Sequence, residues 1–126
     1  MGEMLNKEKV KEILDEETSK ARQIMKNKEA LVNMLVAAEE KIRANEALAS
    51  IQELKTMMHI VRSYAYGTAS GVREDAVAVM TGALLYLTED NDYFDDGTAV
   101  IGLFDDMAVI WAAIDIVQKD IRAFGK

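Results

Sequence analysis

The chain has 126 residues, half of them apolar, with no cysteine, no proline and seven glycines. That length predicts one domain; the composition excludes disulfides, thiolate metal sites and a cysteine nucleophile, and it is too poor in turn residues for a β-sandwich. The net charge of −7 is uneven: residues 1–62 hold eleven bases and eleven acids, residues 63–126 four bases and eleven acids, which leaves no basic stripe for gripping nucleic acid.

Apolar residues recur at spacings of three and four throughout, the signature of amphipathic helices. The first predicted helix, residues 5–26, carries Val10, Ile13, Leu14, Ala21, Ile24 and Met25 on a loose stripe. It is dense in Lys and Glu, and residues 1–17 are expected to fray. Asn27 is placed to accept from a free backbone N–H and open a second helix, in which Leu31, Met34, Leu35, Ala38 and Ile42 share a face as far as Arg43. Asn45 reads as a break. A third helix follows, with Leu48, Ile51, Leu54, Met58, Val61 and Ala65 aligned, and Gly67 reads as its left-handed terminus.

Ser70 reads as the cap of a fourth helix, residues 71–88, with Glu74 and Asp75 facing its positive end. This helix is apolar all round, the mark of a central element. The last helix, residues 103–123, is nearly as apolar between Met107 and Ile114. The expected fold is therefore all-α: a single-domain bundle of four to five helices, closed by a C-terminal helical hairpin around an acidic loop.

No targeting segment is evident in the opening MGEMLNKEKV. The longest charge-free run, residues 76–88, has thirteen residues, short of the roughly 20 that span a bilayer. A cytoplasmic protein is expected, with any membrane association peripheral.

The acidic loop is the informative stretch. From residue 89 to residue 106 there are seven acids and no base, in a connection longer than most bundle loops. Two readings of Asp92, Asp96, Asp105 and Asp106 compete. Converging carboxylates suit Ca²⁺ or Mg²⁺, which take oxygen ligands, and a metal-dependent hydrolase is the enzymatic extension of that reading. Alternatively, the same aspartates cap helical turns, with Asp105 or Asp106 at the start of the last helix. An EF-hand is excluded: with Gly97 at the glycine position, Phe94 and Leu103 fall where ligands belong. Half-buried carboxylates call for cations, and at least one of Arg62 and Arg73 is expected to pair with one of these aspartates.

The segment also resembles a family. Ala83-Leu84-Leu85-Tyr86-Leu87 followed by Asp92, Asp96, Gly102 and Asp105-Asp106 is similar to the signature of the YkvA-like family, in ungapped register from Tyr86 to Asp106. Ala37-Ala38-Glu39-Glu40-Lys41 and Ile60-Val61-Arg62-Ser63-Tyr64 resemble its upstream helices, so the likeness covers residues 18–115. The family's three prolines are replaced here by Asp90, Asp95 and Ala99, and its Leu-Ile pair by Tyr93-Phe94. The resemblance implies an all-helical fold and a non-enzymatic interaction or accessory role with a partner protein, at a membrane edge in some members.

Other chemistry is weakly supported. His59, the one histidine, reads as a partly buried helix residue. Residues 97–102 lack the lysine and preceding strand of a phosphate loop. Tyr86, Phe104 and Trp111 read as core anchors, and the eight methionines as gap fillers between helices. A third functional class, an acidic nucleic-acid mimic acting as an inhibitor, is permitted by size and charge alone.

Overall fold

A computed structural model describes residues 7–68, 71–89 and 99–124, with the backbone alone for 99–105. Among the described residues there are six helices and no strand: α1 (Lys7–Ile24), α2 (Lys28–Arg43), α3 (Glu46–Ala49), α4 (Gln52–Ala65), α5 (Glu74–Thr88) and α6 (Ala99–Phe124). None of these helices is long and apolar enough to cross a membrane.

Helix boundaries follow local chemistry. Asn27 Oδ1 accepts from the Ala30 N–H at 3.0 Å and caps α2, as expected. At the end of α4, Gly67 takes φ +73. Its N–H reaches Tyr64 O at 3.1 Å and the Thr68 N–H reaches Ser63 O at 2.8 Å, the paired bonds of a Schellman motif.

Three boundaries differ from expectation. The predicted third helix is split, because Ile51 is extended (φ −83, ψ 106) between α3 and α4. There Ser50 Oγ donates to Ala47 O at 2.9 Å, and Ile51 itself is buried. The fourth helix begins at Glu74 rather than residue 71, with Arg73 at its N-cap; Ser70 lies outside the described residues. The last helix begins at Ala99, which places Asp105 and Asp106 in its second turn. A residue inside a helix has no free N–H of the first turn to accept from, so neither caps α6. The apolar Val100, Ile101, Leu103 and Phe104 carry the helical register upstream. At the N-terminus α1 is formed from Lys7, with Val10 and Leu14 already buried.

The core is organised around α5, whose Ala76, Val77, Ala78, Met80, Ala83, Leu84 and Leu87 are all buried. One side of α5 meets α2, α4 and α6 in the main cluster. Ala83 belongs to a second, smaller cluster with Val10 and Leu14 of α1 and Val109 and Ala113 of α6. Arg73, just before α5, binds Asp120 near the end of α6, so these two helices run antiparallel as the predicted hairpin. Val117 interrupts α6 with φ −105 and ψ 17, and the helix bends there. Met34, Met57, Met58 and Met80 are buried in the main cluster, the gap-filling role expected of them.

Helices α1 and α5 approach closely. A Cβ added at Gly82 would stand 2.8 Å from Thr18 N and 3.0 Å from the Glu17 carbonyl carbon. These are backbone atoms, so α1 would have to move. Gly82→Ala gains about 1 kcal/mol of helix propensity, but the overpacking it forces costs about 1–3 kcal/mol. A net loss of stability, read as a lower thermal midpoint, is expected; a gain would show that α1 is free to retreat.

Candidate functional site

Of the four aspartates singled out by sequence, Asp106 alone has a described side chain. Asp92 and Asp96 lie outside the described residues, and for Asp105 only the backbone is given. Asp106 turns inward: it is 2% exposed, and Lys41 Nζ of α2 stands 3.2 Å from its Oδ2. The cation recorded at this carboxylate is thus an ammonium from the second helix. The two arginines named as partners meet carboxylates other than Asp106 among the described side chains. Arg73 makes a fork with Asp120, Nε to Oδ1 at 3.1 Å and Nη2 to Oδ2 at 2.8 Å, while Arg62 Nη2 stands 3.6 Å from Glu39 Oε1.

The Asp120 pairing is the better-formed of the two. The Arg73 guanidinium beside it holds the Asp120 carboxyl below its ordinary range, and Asp120 in turn pushes Arg73 higher. Neighbouring bonds fix the same end of α5: Arg22 Nη2 to Asp75 Oδ1 at 3.0 Å, and Tyr64 OH donating to Glu74 Oε2 at 3.1 Å. These contacts secure helix entry rather than assemble reactive groups.

Among the described residues no three His, Asp or Glu side chains are arranged to hold a metal ion. The Ca²⁺ or Mg²⁺ reading rests on Asp92, Asp96 and Asp105, beyond the described side chains. Asp106, the fourth member, faces an ammonium. Removing one partner of a buried pair exposes the desolvation cost of the other. Lys41→Met is therefore expected to lower stability by about 1–3 kcal/mol, against under about 0.5 kcal/mol for the exposed Lys119→Met. Urea unfolding of the two variants tests this, and equal midpoints would remove the Lys41 pair from the forces holding Asp106.

Sequence reading missed a second carboxylate cluster. Glu17 of α1 is buried at 5% exposure. Lys20 Nζ lies 3.2 Å from Glu17 Oε2 and 3.3 Å from Glu89 Oε2, so one ammonium gathers a carboxylate from the middle of α1 and one from the end of α5. Glu17 Oε1 is buried without a hydrogen-bond partner. Burial, reinforced by the adjoining Glu89, pushes the Glu17 carboxyl up to about 7. The signal was present in the sequence: Val10, Leu14, Glu17 and Ala21 form one i, i+4, i+7, i+11 face, and an acid on that face must be buried.

The sign of the pH effect follows. An unfolded Glu17 loses its proton near pH 4.5, a folded one near 7. Between those values the folded state binds more protons, so stability falls as pH rises through the window and levels off above it. Glu17→Gln keeps a donor toward Glu89 and removes the buried charge. It is expected to leave stability at pH 4 nearly unchanged and to raise it at pH 8 by about 1–3 kcal/mol. Thermal unfolding at the two pH values checks this; an equal shift at both would dismiss the buried-charge explanation.

The geometry at hand can pair helices and store a proton. His59 is exposed rather than partly buried, and its ring stands edge-on to Phe124 at 5.3 Å. Trp111 also departs from expectation, being 45% exposed on α6 instead of anchoring the core. Comparison of the chain with protein-family models, with curated proteins and with solved structures finds no match.

Proposed function

We propose that this chain is a non-enzymatic helical interaction protein of the YkvA-like kind, and that it meets a partner protein through the outer side of α6. The observation supporting this is Trp111. It belongs to an apolar run whose Val109, Ile110, Ala113 and Ile114 are buried, yet it stands 45% exposed, and Ile116 beyond it is 55% exposed. Tryptophan is the residue type most enriched at the energetic centres of interfaces. A tryptophan buries about 150–250 Å² when fully enclosed. Covering the exposed part of Trp111 is therefore worth roughly 2 kcal/mol, a driving force left unused in the isolated fold.

The described carboxylates Asp106, Glu17, Glu89 and Asp120 are each tied to a lysine or arginine of the same chain, which suits scaffolding better than hydrolysis. A chain of net charge −7 is also repelled by anionic lipid, which favours a protein partner over a membrane edge.

Trp111 is the sole tryptophan, so its emission reports this surface alone. A partner captured from native extract and then purified is expected to shift Trp111 emission to the blue, and to be lost from the Trp111→Ala/Ile116→Ser variant. Lipid vesicles are expected to leave the emission unchanged. Retention of the same partner by the double variant, or a blue shift with vesicles and none with protein, would overturn the reading.

A further inference from the structure

Away from the acidic helix ends, α2, α3 and α4 wall a groove of about 340 Å³. That volume lies at the lower end of the range for small-molecule sites. Its floor is apolar, with Ile42 and Met58 both at the edge of the main core. Its rim is cationic: Arg43 from α2, with Lys55 and Arg62 from α4, against the single carboxylate of Glu39. His59 completes one wall, its ring braced edge-on by Phe124 of α6.

Glu39 shows what the rim can hold. Arg43 Nη2 stands 3.3 Å from Glu39 Oε2 and Arg62 Nη2 stands 3.6 Å from Oε1, so two guanidinium groups from different helices already share one carboxylate. A guanidinium carries five N–H donors in a planar fork, and a contact through one Nη leaves donors for a second carboxylate. With Lys55 added, three cations face one anion, an excess of positive charge in a chain whose total is −7. Glu40, Glu46 and Glu53 on the same three helices add negative charge, which disfavours an extended polyanion and leaves room for one small anionic head.

We propose that this groove binds a small amphipathic organic anion, with one carboxylate on the Arg43, Arg62 and Lys55 rim and a short apolar body on Ile42 and Met58. The site is separate from the α6 surface and does not depend on it.

Backbone amide spectra of the whole chain, titrated with octanoate, test the proposal. Saturable shifts are expected in residues 39–43 and 55–62, with octylammonium and inorganic phosphate failing to saturate the same amides. Arg43→Gln/Arg62→Gln is expected to weaken octanoate binding by roughly tenfold or more, since each charge-assisted hydrogen bond is worth about 1.5–3 kcal/mol. Both arginines are exposed enough (76% and 42% for their side chains) for the fold to survive their loss. Should the double variant melt early, Lys55→Gln provides the same comparison, with weaker octanoate binding expected and unchanged binding counting against the site. No saturation by about 10 mM octanoate, tenfold above a 1 mM site, overturns the proposal. So does equal binding of octylammonium, equal binding by the double variant, or phosphate binding as tightly as octanoate.

Discussion

A helix without a polar side has to be enclosed, and α5 is such a helix. Nine of its fifteen residues are buried, including Thr81 and Gly82, and beyond the acidic first turn the rest are at least partly covered. The other long helices are arranged by this need. Helices α2, α4 and α6 cover part of α5, and α1 covers the rest at a separation that only glycine permits, with Thr18 and Glu17 backbone against Gly82. Close approach there carries α1 down onto Ala83, so that Val10 and Leu14 reach Val109 and Ala113 across it.

That approach also explains the buried carboxylates. Drawing α1 against α5 takes Glu17 out of water, and Asp106 of α6 is likewise turned inward. Each is then met by a lysine whose head remains partly wet: Lys20 at 55% and Lys41 at 36% side-chain exposure. Lysine suits this geometry because its long apolar stem lies along the helix surface while the ammonium reaches the seam. A buried pair of this kind contributes little net stability compared with an apolar contact of the same size. Its effect is on arrangement, because a slipped register would leave the acid buried without its cation.

Much of this was legible in the chain. The all-round apolar character of residues 71–88 located the central helix, Asn27 and Gly67 located two termini, and the change from polar stripes to apolar runs identified an all-α hairpin bundle. The failures have physical causes. Leu48, Ile51 and Leu54 recur at a spacing of three, which suits one continuous helix as well as two helices broken at an extended Ile51. Only the Ser50 bond to Ala47 and the burial of Ile51 distinguish them. Asp105-Asp106 read as a helix start because aspartate is common there, but the apolar residues from 100 to 104 extend the helix past it. Trp111 was assigned to the core by its neighbours, and a helix of period 3.6 sends some member of any apolar run outward. Glu17 was overlooked because a helix so rich in charge hides one acid on its inner face. The groove was invisible for another reason: Glu39, Lys55 and Arg62 come together only through the packing of α4 on α2.

The uneven charge along the chain takes on a structural meaning in this light. The first 62 residues are neutral overall and the rest are strongly acidic, yet Lys20–Glu89, Arg22–Asp75 and Lys41–Asp106 each join a base from the first part to an acid from the second. Bases that would balance local acids are thus drawn across the bundle to α5 and α6. The exposed pairs, Lys20–Glu89 and Arg22–Asp75, are worth less than about 1 kcal/mol each, so their sum does not hold the fold together; burial around α5 does. What they provide is a preference for which helix ends lie side by side, written in charge where the apolar pattern alone is degenerate. Arg43 and Arg62 stand apart from this exchange. They stay with Glu39 within the first part of the chain, and that is why the cationic rim forms between α2 and α4 instead of being spent on the acids of α5 and α6.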